Sequence, residues 1–75
     1  MSSRRPWCRV TVVTASGRPF WRHVVDGPGE PGLDAVDRIA RLDVAARRCR
    51  CTLEVDDVVP ALRELLDLAG LDVGA

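Results

Sequence analysis

The sequence predicts a single small α/β domain with element order β-β-α-β-α, in which a three-stranded mixed sheet carries two helices on one face. Three observations lead there. Two runs rich in β-branched residues, Cys8 to Thr14 and Phe20 to Val25, flank a turn. A segment of helical spacing, Leu33 to Arg48, separates them from a cleanly alternating run, Cys49 to Val55. A leucine-rich stretch after Pro60 then repeats the helical spacing. With 75 residues, folding hides about 60% of the surface of the unfolded chain, so one thin core is expected and a large cleft is not.

Taken in order, the first seven residues read as a flexible basic arm on a domain that spans 1–75. Ala15 to Pro19 supplies the turn of a hairpin. Turns of two or four residues both place Cys8, Val10 and Val12 on one face with Trp21, His23 and Val25, which makes that face the buried one and Trp21 a core residue. Asp26 to Gly32 holds three glycines and two prolines, so it reads as a loop. In the first helix Leu33, Val36, Ile39, Ala40 and Val44 form the inner stripe, with acids in the first turns and Arg47 and Arg48 in the last, as the helix dipole favours. Asp43 and Arg47 fall within that arc at the i,i+4 spacing of an ion pair.

The third strand is expected to present Cys49, Cys51, Leu53 and Val55 inward and Arg50, Thr52 and Glu54 outward. In the last helix Pro60 suits the first turn, Leu62, Leu65, Leu66 and Ala69 face inward, and Gly70 ends it. The helix between strands two and three implies a right-handed parallel crossover, and hence the mixed sheet.

Charge is polarised although its sum is zero. Residues 1–25 carry five arginines and no acid, whereas residues 26–75 set six arginines against eleven acids. That polarity can steer a charged partner or a second copy. No stretch has the ~20 apolar residues of a membrane span, and the start lacks a signal-peptide core, so a cytoplasmic location with no membrane contact is expected. Three cysteines, an odd number, fit reduced thiols better than a disulfide framework.

From about Trp21 onward the chain resembles the STAS domains, the family of sulfate-transporter tails and anti-sigma-factor antagonists, in a shortened form of actinobacterial type. The matching stretches are His23 to Asp26, Leu33 to Leu42 with Ala45 to Arg48, Cys51 to Val55, and Pro60 to Leu71. The resemblance implies a truncated STAS-like fold and a non-catalytic, regulatory or transporter-associated interaction module, with an anti-sigma factor, a kinase or a transporter subunit as the type of partner. It places the partner at the loop before the first helix and on that helix's exposed side, here Gly27, Pro28, Gly29, Glu30, Pro31, Gly32, Asp34, Asp37, Arg38 and Arg41. Where the anti-sigma antagonists carry a phosphorylated serine, this chain reads Gly29-Glu30-Pro31-Gly32-Leu33, so that switch is lost.

Enzyme chemistry finds no constellation. Cys8, Cys49, Cys51 and His23 are the types of a Cys₃His zinc site, yet the topology sends Cys8 to the opposite end of the sheet from Cys49 and Cys51, and neither metal nor other cofactor is expected. No glycine loop offers a row of N–H donors to phosphate, since two prolines interrupt Asp26 to Gly32. The alternative function is a small ligand- or nucleic-acid-binding domain using the basic hairpin, with Trp7, Arg9, Arg18 and Arg22 as contacts, although zero net charge disfavours phosphate binding. The thin core and a shortened sheet edge also predict self-association as a homodimer.

Overall fold

A computed structural model describes residues 4–71. It contains β1 (Arg4–Val13), β2 (Pro19–Pro28), α1 (Leu33–Arg48), β3 (Thr52–Asp56) and α2 (Pro60–Leu68), an α/β domain of order ββαβα as expected. The sheet order is β2-β1-β3, and both pairings are antiparallel.

That order corrects the mixed sheet. Strands β2 and β3 do run in the same direction, as a helical crossover requires, but β1 lies between them. Each pairs with β1, Val10 opposite His23 on one side and Val55 on the other. The chain thereby keeps the hairpin's local pairing and adds β3 to the free edge of β1. Of the two turn lengths left open, the pairing matches the two-residue turn, with Cys8, Val10 and Val12 opposite Val25, His23 and Trp21, until a register shift between Val12 and Val13.

The element ends differ from the sequence reading for identifiable reasons. Residues 4–7, expected within a flexible arm, belong to β1, and Trp7 is only 4% exposed. Trp7 occupies a bulge between the Pro6 and Cys8 pairings, which turns its ring toward the core. Its carbonyl accepts the N–H of Val59 (2.9 Å), tying the start of α2 to the sheet. Strand β2 continues through Asp26 and Gly27 to Pro28, where a loop was expected, because it is an edge strand and can carry a proline at its end.

The third strand begins at Thr52 rather than Cys49. Cys49 and Arg50 instead close α1: Arg50 donates to the Arg47 carbonyl (3.0 Å), Cys51 to that of Ala46 (2.8 Å), and Arg50 takes the left-handed φ of 59°. The same bonds close α2, from Gly70 to Asp67 and from Leu71 to Leu66, with Gly70 at φ 71°.

The core consists of Cys8, Val10, Val12, Val25, Ala35, Val36, Ile39, Ala46, Leu53, Leu62 and Leu66, together with Trp7. Helix α1 packs on β3 and on α2. Its buried residues are Ala35, Val36, Ile39, Asp43 and Ala46, so it is turned away from the expected stripe, and Leu33 and Val44 are exposed. Asp43 goes inward as the ion-pair partner of Arg47 (3.0 Å).

Candidate functional site

With the helices over β1 and β3, the outer part of β2 is left uncovered. Trp21, expected in the core, is 40% exposed, and His23 is exposed beside it. Two residues apart on a strand, the two rings share a face, and they stack with centroids 5.4 Å apart and planes 17° from parallel. Across from them, α1 presents Arg38, Arg41 and Leu42. With Val25 as the floor, these side chains line an open groove of about 320 Å³.

The residues implied by the family resemblance divide into three groups. Gly29, Glu30, Asp34, Asp37 and Arg41 are exposed, and Asp37 and Arg41 form an ion pair on the outer side of α1 (2.8 Å). Pro28 is exposed at the end of β2. Pro31 and Gly27 are buried and Gly32 is half-buried. Arg38 is half-buried and donates to the Asp26 carbonyl (3.2 Å), so it fastens α1 to the end of β2 while bordering the groove.

The connection before α1 is held in place by Trp7. Its ring lies over Gly27, where a side chain would collide with it, and its Nε1–H donates to the Gly29 carbonyl (3.1 Å). Arg4 adds a two-point grip on Asp26: its Nε and Nη2 both donate to Oδ1, at 3.3 and 2.8 Å. Those bonds hold the Asp26 carboxyl below the usual carboxylate range and raise the Arg4 pKa in turn. The segment that leads to α1 is therefore ordered before any partner arrives.

The cysteines do not gather. Cys8 sits midway along β1 and Cys51 beside its far end, next to the Thr52–Val13 pairing, and no three His, Cys, Asp or Glu side chains cluster for a metal among the described residues. Burial pushes the Cys8 thiol up to about 11, so it is a packing residue with little thiolate character near neutrality, although Arg38 pulls weakly the other way. All three cysteines are free thiols.

The basic hairpin is altered as a candidate surface by the burial of Trp7. Of its arginines, Arg9 is 3.6 Å from Asp57, and Arg9 and Arg22 share the open sheet face with Thr11, Glu54 and Asp56. Acidic side chains thus interrupt the positive charge there. No helix among the described residues is long and apolar enough to cross a membrane.

No family model matches the chain, and no curated protein or solved structure matches it either. The groove was not visible in the sequence. Trp21 and His23 alternate correctly for an inward face, and only the placement of β3 beyond β1 leaves that part of the face without a helix.

Proposed function

We propose that the protein is a non-catalytic interaction module of STAS-like type, regulatory or transporter-associated, which binds a protein partner across the groove between β2 and α1. The observation that carries this reading is the exposed Trp21–His23 stack facing Arg38 and Arg41. Tryptophan and arginine dominate the energetics of protein interfaces because each buries a large, relatively rigid surface. A thin domain that keeps such a pair out of its core gives up burial that would have stabilised it. The order of the neighbouring segment supports the same reading, since a surface held by Trp7, Arg4 and Arg38 loses little conformational freedom on docking.

The resemblance of residues 21–71 to STAS domains supplies the partner class: an anti-sigma factor, a kinase or a transporter subunit. With Pro31 buried where the phosphorylated serine would stand, the interaction is not gated by modification at that site. Free thiols and the polarised charge suit a cytoplasmic protein.

Site-specific photocrosslinking in the native host tests the proposal. A crosslinker at Arg41 should capture a discrete protein, one at Glu54 on the opposite sheet face should not, and Trp21→Ala should abolish the capture. Equal capture from both positions, or none from Arg41, would overturn it. The ligand- or nucleic-acid reading, now resting on Arg9, Arg18 and Arg22 without Trp7, requires oligonucleotide affinity that falls steeply with salt.

A further inference from the structure

The outer edge of β2 has no neighbouring strand among the described residues, and its sequence is complementary to itself. We infer that two copies of the chain join β2 to β2 in antiparallel register about Val24, forming one continuous six-stranded sheet. An antiparallel pair whose two-fold axis is normal to the sheet keeps the helices of both copies on the same face, and the axis then passes through a residue paired with itself. Centring it on Val24 sets Arg22 opposite Asp26 of the second copy, and by symmetry this pairing occurs twice. Centring it on Arg22 would oppose like charges, and centring it on His23 would oppose Asp26 to Phe20.

The charges are prepared for this register. Arg22 has no ion-pair or hydrogen-bond partner among the described residues. Of the three side-chain hydrogen bonds from Arg4 to Asp26, two fall on Oδ1 and one on the main-chain carbonyl, which leaves Oδ2 for a second guanidinium. Even-numbered residues of β2 lie on the open sheet face, so Arg22, Val24 and Asp26 meet their counterparts there without crossing the core. The same register sets Trp21 beside Gly27, whose face is covered by the Trp7 ring of that copy, and Phe20, 69% exposed in the single copy, beside Pro28. Pro19 and Pro28 bound the strand, so the pairing stops after this span.

Sedimentation equilibrium of the purified chain at tens of micromolar should show a dimer; a monomer would overturn the inference. Arg22→Asp should weaken the dimer by about tenfold or more, because two attractive pairs become repulsive. Asp26→Arg should do the same. Combining R22D with D26R in one chain, or mixing the two single variants, should restore association, and a dimer indifferent to R22D would sink the register. Should D26R fail to fold, amide exchange decides: protection of residues 20–27 should rise with concentration in the parent chain and not in R22D. Trp21 belongs to both the groove and the seam, but Arg22 and Asp26, the residues varied here, do not line the groove, so a monomer leaves the capture at Arg41 to stand or fall by itself, and failed capture leaves the sedimentation result unchanged.

Discussion

Gly27→Ala tests how the sheet end is built. A Cβ at residue 27 would lie 2.6 Å from Cζ2 and 3.0 Å from Cζ3 of Trp7, with Cη2 nearer still. The ring has little freedom to retreat, because its backbone carbonyl is bonded to Val59 and its Nε1–H to Gly29. Overpacking of this kind costs about 1–3 kcal/mol, and loss of the indole hydrogen bond adds about 1 kcal/mol. A destabilisation of roughly 2–4 kcal/mol follows, which in a domain of this size is a fall of roughly 10–25 °C in melting temperature. Urea and thermal unfolding by circular dichroism would measure it, and tryptophan fluorescence in a Trp21→Phe background would report Trp7 alone. Gly29→Ala is the control: its φ is +69° but no atom lies within 4 Å of the added Cβ. It should therefore cost only the left-handed strain of about 1–2 kcal/mol. Reducing the ring in Trp7→Leu should recover part of the stability lost in Gly27→Ala. The steric reasoning fails if Gly27→Ala stays within about 0.5 kcal/mol of the parent chain, or if Gly29→Ala is equally damaging.

Arg50→Gly should stabilise the domain by about 0.5–1 kcal/mol in urea unfolding, since it relieves left-handed strain at the end of α1 and the extra freedom of glycine in the unfolded chain offsets only part of that gain; a loss of stability would contradict this. The Asp26 carboxyl should titrate by NMR below its ordinary range and return toward it in Arg4→Ala. Because the folded value is the depressed one, the ion pair contributes stability above the ordinary carboxylate pKa and loses it as pH falls through the folded value. At pH 8 an alkylating reagent should label exposed Cys49 first and Cys8 only on unfolding; the raised Cys8 pKa contributes stability below the ordinary thiol value, which is lost as pH rises toward about 11. Exchanging the charges of Asp37 and Arg41 should leave the melting temperature within a few degrees while weakening the partner complex, whereas Val36→Asp should unfold the domain, as circular dichroism of both variants would show.

The elements that the sequence predicts correctly are those specified locally. The span of α1 and the proline start of α2 are signalled by spacing and end residues, and the hairpin by a glycine turn between two β-branched runs. The structure departs from the sequence pattern where a local signal is missing. At Arg50 a non-glycine residue adopts the left-handed conformation that normally announces itself through glycine, so the end of α1 was absorbed into the alternating pattern of β3. At Pro28 a residue typical of loops is tolerated because β2 is an edge strand, and edge position is a property of the assembled sheet.

The amino-acid order by itself determined the kind and order of the five elements, that Trp21 and His23 share a face, and that residue 31 carries no hydroxyl. Only the tertiary structure decided what that face meets. Antiparallel pairing of β3 with β1 carried α1 and α2 toward one side of the sheet, buried Ala35 and Ala46 in place of Leu33 and Val44, and left the two rings of β2 in the open. Alternation specifies the direction of a side chain relative to its own strand, whereas burial depends on which element packs above it, and that choice is made by contacts between residues far apart in the chain.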